Sequence, residues 1–550
     1  MPSQVPVPGT VHLVDLDGSL NARHGKSRND IVLLPQPSSD PDDPLNWSPM
    51  RKFHNTFWQY MWTFVGSCLC SCLSPAYNNI VSDTGISLEN INTGQGIMYL
   101  GFGWGCLITQ PLAINYGRRP VLVLSLLVFS LFTLWTAYID TVGVWYLNRV
   151  LSGIAYSPIE SLIELCVADT RFTHERGFHM GFYCWALFGG GALVPIASGI
   201  IAEQHGWRWI NYTACIIGCA VSLLMFFFFE ETMFYRPKHV PDELVIEGVD
   251  TLALPTRVEN GEVEEALGSE KSRPPTPTEK KDSTMQRREI LAPRKTFLQK
   301  MKMWDLRDPR QPFVLFKLFF LPFVVMQFPA VLFSGMLIGS ILSWYQIFVG
   351  TLNLILGEDP YNFTSESIGY FYIAVFIGVT IGCAFSGWLS DILAERLARR
   401  NGGVKEPEAR LWMALIPMIL HPAGSILYGV GAAHHIHWVG IAFGLGFACV
   451  GVVMGSTIAL TYVVDCYKEV AGETLISVIL FRNTIGFAFI YAILPMVDSM
   501  GLQGAFILIA FLGVGFWATC FLFIWKGKQM RQWLAQNYWN MVEKYGLSAH

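Results

Sequence analysis

Charge is what this sequence has least of. Asp, Glu, Lys and Arg make up 15% of its 550 residues, whereas soluble chains carry about a quarter. That shortage excludes an ordinary water-soluble globule. There is no basic excess either: the net charge of −4 supplies no positive field for nucleic acid. Twelve cysteines are too dilute for a disulfide scaffold, and most sit inside apolar runs, where they read as small packing residues. A glycine-rich phosphate loop followed by Lys is missing, which argues against an ATP-driven pump. No nucleophile–base constellation stands out, so neither an enzyme nor a bound cofactor is expected. His434, His435 and His437 share an outer loop without a Cys or carboxylate neighbour to complete a metal set. Cys68, Cys70 and Cys72 point in different directions on a helix, so no metal is expected there. The first fifty residues are polar and rich in Pro and Asp, without the apolar stretch of a cleaved leader.

What is present is apolar and arrives in long runs. Hydrophobic residues are 52% and aromatic residues 14% of the chain, and the mean hydropathy is +0.38. A helix crosses hydrocarbon with about 20 mostly apolar residues. Twelve stretches meet that demand, near 55–79, 95–115, 120–139, 143–168, 178–202, 209–229, 325–350, 366–388, 411–431, 438–464, 474–496 and 503–525. The expected fold class is all-α integral membrane, with 12 transmembrane helices. The seventh apolar region starts at Phe313 and runs past Phe348, too long for one untilted crossing. Phe313–Leu321 is therefore expected to lie at the interface and lead into the span.

Lys and Arg orient the bundle. Arg51, Lys52, Arg118, Arg119, Arg396, Arg399 and Lys526 fall on one face, and the other carries Arg208 almost alone. With an even number of spans, both termini are expected to be cytoplasmic, in a multi-pass, monomeric protein of the plasma membrane. The sequon Asn362-Phe363-Thr364 falls on the outer face, open to glycosylation. Residues 230–312 break the pattern with dense mixed charge and a Pro-rich run from Arg273 to Lys281. Such a stretch buries no core and reads as a cytoplasmic, mainly disordered linker. Thr276 and Thr278 in it are candidate phosphorylation sites, although a plain solvated linker also accounts for them. The expected organisation is a tail (1–53), a six-helix half (54–229), the linker (230–312), a second six-helix half (313–526) and a tail (527–550). The stretch Gln110–Arg119 after span two is echoed by Gly387–Arg396 after span eight. Repeats of this kind occur in secondary transporters, which rock two halves about a central site.

These stretches resemble the major facilitator superfamily, whose loop motif is roughly G-x-L-a-D-r-x-G-R-r. Gly117, Arg118 and Arg119 match the end of its first copy, and Gly387, Leu389 and Asp391 match the second. Ile114 stands where the family has an Asp that latches the outward-facing state, so a latch here is expected to use other groups or to be weaker. Arg149-Val150-Leu151-Ser152-Gly153 is similar to the R-x-x-x-G motif of span four, linked in the family to proton coupling. Gly190, Pro195 and Gly199 match the antiporter motif of span five, with Val194 and Ser198 replacing glycines. Asp40–Ser48, Thr173–Gly177, Phe229–Met233 and Tyr462–Tyr467 are similar to a fungal branch of the twelve-span drug:proton antiporters, which includes polyamine carriers and metabolite exporters. The resemblance covers residues 40 to about 530 and implies two halves with pseudo-two-fold symmetry.

Ionisable groups inside a span are costly and face a cavity or a partner. Span four holds Arg149, Glu160 and Glu164; eleven residues make almost three helical turns, so Arg149 and Glu160 share a face, with Glu164 one turn on. Glu160 is the first candidate for proton or cation binding and Glu164 the second, against structural pairing with a basic residue of another span. Arg149 either tunes these acids or bonds backbone carbonyls. In span eleven, Arg482 and Asn483 are further cavity candidates, and Arg482 either pairs with an acid or holds the halves together. Tyr77, Asn78 and Asn79 in span one and Trp344, Tyr345 and Gln346 in span seven are candidate cavity residues, because aromatic faces and a few polar groups suit amphipathic or cationic organic molecules. The expected function is proton-coupled export of such a compound. Uptake of polyamines is the alternative within transport, and a non-transporting receptor or scaffold the alternative outside it.

Overall fold

A computed structural model describes residues 6–12, 40, 43–172, 175–234, 315–402 and 404–545. The linker from residue 235 onward, with Thr276 and Thr278, lies outside the described residues, as do Thr173 and His174. The first part of the chain forms α1 (Pro49–Ser71), α2 (Tyr77–Thr84), α3 (Leu88–Tyr116), α4 (Arg118–Thr136), α5 (Val142–Tyr156), α6 (Pro158–Thr170), α7 (Arg176–His205) and α8 (Trp207–Phe228). The second part forms α9 (Leu315–Val325), α10 (Pro329–Leu356), α11 (Ser365–Arg400), α12 (Leu415–Ala433), α13 (Trp438–Cys466), α14 (Ala471–Trp533) and α15 (Ala535–Tyr545). The only strands among the described residues are β1 (Val11–His12) and β2 (Val404–Lys405), paired antiparallel.

Helix ends follow local chemistry. Ser48, Ser87 and Thr364 accept from the backbone N–H three residues on, capping α1, α3 and α11. Gly117 is the single residue between α3 and α4, and its φ of 103° is open to glycine without strain. The exposed faces carry large apolar side chains such as Ile216, Ile419 and Phe511, as a lipid-facing bundle requires.

Ten helical stretches among the described residues are long and apolar enough to cross a membrane. One of them contains α14, 63 residues long, which turns at Gly501, where φ is 72° and ψ 168°. Its two arms lie along α10 in opposite senses: Gly335 meets Phe481 and Trp344 meets Phe489, whereas Phe348 meets Phe506 and Phe333 meets Phe523. It is therefore two passes. Together with the more polar α1, the bundle accommodates the twelve expected crossings.

Two helices differ from expectation. The fourth span runs Val142–Val167 as expected, but its hydrogen-bond ladder is interrupted between α5 and α6, because Pro158 lacks an N–H. Near the seventh, the short α9 ends at Val325 and the span proper starts at Pro329. Here α9 packs on α14 and α3, and the Pro322 carbonyl accepts from Ser477 Oγ at 2.7 Å. Tertiary contact thus holds the segment expected at the interface. Phe313 and Val314 lie outside the described residues.

Candidate functional site

The two halves touch along α7–α11 and α3–α14. Towards the face that carries both termini, Gly181 lies beside Gly387, and Gly472 lies against Gln110 and Leu165. Towards the opposite face, a Cβ on Gly199 would stand 2.6 Å from the Ser365 carbonyl. There Asn353 donates to the Ser74 carbonyl at 2.7 Å, and Ser365 to Asn79 at 3.1 Å. Closure on both sides leaves a central cavity of about 80 Å³.

Glu160, Glu164, Arg482, Tyr345 and Gln346 line this cavity together with Tyr99, Tyr156, Tyr183, Phe102 and Phe188. Glu160 is ion-paired with Arg482 across the two halves, and their side chains are only 9% and 8% exposed. Asn483 donates to Glu160 at 3.1 Å and accepts from Arg482 Nε at 3.1 Å, closing a three-membered polar cluster. Glu164 is 3% exposed, and its Oε2 has no hydrogen-bond partner among the described residues. Gln346 donates to the Tyr99 hydroxyl, another contact between the halves.

The remaining candidates lie elsewhere. Arg149 does not join the acids: its guanidinium stacks 4.0 Å from the Trp145 ring and reaches Gln95 at 3.5 Å. Tyr77 is buried in the smaller core around Trp145 and Trp207. Asn78 approaches Gly357, so Asn78 and Asn79 belong to the seal opposite the termini. Trp344 is 1% exposed and packs on His421 and Phe489 within the second half. Gly190 approaches the Phe64 carbonyl, and Pro195 lies inside α7, where its carbonyl faces Gly369. Asn362, exposed at a φ of 47°, sits in the turn before α11. Tyr99, Tyr156 and Tyr183 of the cavity wall were not singled out from sequence, although Tyr156, four residues before Glu160, carried the spacing that points to it.

Charged groups meet near Gly117. Arg118 is ion-paired with Asp169 of α6, and Glu231 accepts from the Arg118 and Arg119 backbone N–H groups at 3.1 and 3.0 Å. The second half has its own cluster: Asp465 takes Lys405 at 2.8 Å and Arg410 at 2.9 Å. Burial pushes the Lys405 ammonium down to about 8, with Asp465 opposing the drop. The Asp391 side chain lies outside the described residues, in α11.

A family model described as Major Facilitator Superfamily matches residues 60–488. An uncharacterized MFS-type transporter of Schizosaccharomyces pombe is 30% identical, over 98% of this chain and 94% of the relative. The efflux pump radE of Floropilus chiversii is 24% identical, over 90% of this chain and 83% of its own length. Among solved structures, the xylose transporter XylE from E. coli, in a partially occluded inward-open conformation, superposes with a TM-score of 0.51. That match covers 86% of this chain and 99% of the other, at 14% identity.

Proposed function

Since the chain belongs to the Major Facilitator Superfamily, and is thus a multi-pass membrane transporter of a small molecule rather than an enzyme, we propose that it exports an amphipathic or cationic organic compound in exchange for protons. The observation that carries this reading is the contrast between the two cavity acids. Glu160 already has its counter-charge in Arg482, whereas Glu164 faces the cavity without a partner for Oε2. Arg482 is already engaged by Glu160, so the Glu164 carboxyl at the cavity wall is open to either a proton or an organic cation. Proton and cationic cargo then compete for one site, which is the requirement for exchange. The wall of Tyr99, Tyr156, Tyr183 and Tyr345 supplies aromatic faces for an organic cation.

The Lys and Arg balance supports placing both termini in the cytosol of a plasma-membrane protein. Export is supported by the relative named as an efflux pump. The test is Glu164→Gln in sealed inside-out vesicles with an imposed pH gradient, using a panel of organic cations. Gradient-driven accumulation is expected to vanish, and binding of the organic cations to weaken with it, because both use the Glu164 carboxyl. Accumulation equal to that of the unaltered protein removes Glu164 as the coupling site, and accumulation only under the opposite gradient turns the reading to uptake.

A further inference from the structure

The first described residues, Pro6–His12, lie far in sequence from everything they touch. Val11 and His12 pair with Lys405 and Val404 as a two-stranded ladder. The Pro8 carbonyl accepts from Arg531 Nη1. That guanidinium, 1% exposed, grips Glu408 at 3.0, 2.8 and 2.7 Å with its other nitrogens. The Pro6 carbonyl accepts from Trp539 Nε1 at 2.8 Å. Gly9 holds a φ of +80° with its α-carbon against the end of α13; a Cβ there would stand 2.6 Å from the Asp465 carbonyl and 2.8 Å from Cys466. Both backbone conformation and space demand glycine at this position.

This is a two-residue antiparallel ladder, with main-chain bonds for affinity and one glycine-sized slot for selectivity. Ordering an extended, proline-bearing segment costs backbone entropy at every residue, so a handful of bonds holds it reversibly. Docking also bears on the contact between the halves. Gly9 rests on Asp465 and Cys466, the last residues of α13 before the turn to α14. Tyr538 of α15 donates to Glu469 in that turn at 2.6 Å. Just after the turn, Gly472, the second residue of α14, is wedged against Gln110 and Leu165 of the other half. One packed path therefore joins the N-terminal segment to the closing contact on the face that carries the termini.

We propose that Pro6–His12 is a tethered peptide ligand of the second half, and that its docking in the groove formed by Val404–Lys405, Arg531, Trp539 and the Asp465 carbonyl stabilises closure on the terminal face. The test uses the full chain in lipid nanodiscs beside a form lacking residues 2–12 and a Gly9→Val variant. A fluorescent synthetic peptide of residues 1–14 and the same peptide carrying Gly9→Val are the probes. The shortened protein is expected to bind the native peptide at least ten-fold more tightly than the altered one, and the unaltered protein, its groove filled, to bind neither.

Closure is read at Cys106, buried between the halves beside Ile476 and Ile479, by maleimide labelling followed by mass spectrometry. Labelling is expected to be several-fold faster in the shortened protein and in the Gly9→Val variant, and native peptide is expected to slow it again in the shortened form. That reversal separates a latch from misfolding. Absence of peptide binding to the shortened protein overturns the groove. Binding without a change at Cys106 overturns the link to closure. Neither readout uses a transport substrate or a pH gradient, so both stand apart from the export reading.

Discussion

Replacing Glu160 by Gln tests whether the ion pair across the cavity holds the closed state. The amide keeps the size of the side chain and still accepts from Asn483, but Arg482 loses its counter-charge while 8% exposed. A guanidinium cannot shed its proton, so breaking such a buried pair costs about 3–5 kcal/mol. At about 1.4 kcal/mol per tenfold, the balance moves roughly two to three and a half decades towards states in which water reaches Arg482. The protein escapes by separating its halves, so the expected result is a population shift rather than unfolding. Arg482→Met removes the other partner of the pair and leaves the Glu160 carboxyl without its guanidinium. The double variant should recover most of the loss, since neutral groups replace both charges. The assay is a double-mutant cycle on the maleimide labelling of Cys106, with thermal unfolding as a control for folding. Additive effects of the two substitutions, with no coupling between them, would refute the idea that this pair closes the cavity.

Other substitutions separate the parts of the site. Gly199→Leu should prevent closure opposite the termini, because even a Cβ there stands 2.6 Å from the Ser365 carbonyl; transport is expected to fall by at least ten-fold, and an unchanged rate would mean that α7 and α11 never close in the cycle. Trp344→Ala should destabilise the second half by about 3–5 kcal/mol and lower the melting temperature with little effect on substrate affinity, whereas Tyr345→Ala should weaken binding; the reverse pattern in binding assays would place the cavity wall on the other face of α10. Asn362→Gln should remove a glycosidase-sensitive shift on gels, and its absence from the unaltered protein would leave this outer turn unmodified.

Much of the architecture is local and was legible in the chain. Long apolar runs define crossings because hydrocarbon offers no partner to an open backbone. The break at Pro158 was also written locally and was passed over, because span four was read as one continuous helix. The pairing of Glu160 with Arg482 was not legible, because no periodicity says which buried charge of one half meets which of the other. The same holds for Trp344, whose side chain turns to His421 rather than to the cavity, and for Pro6–His12, too short and too rich in proline to carry a pattern.

Sequence by itself determined which segments enter the membrane and which ionisable groups go in with them, since both follow from transfer energies summed along the chain. The tertiary structure decided which of these groups meet. Only the approach of the two halves brings Arg482 into an ion pair with Glu160, and electrostatic energy depends on separations that folding sets.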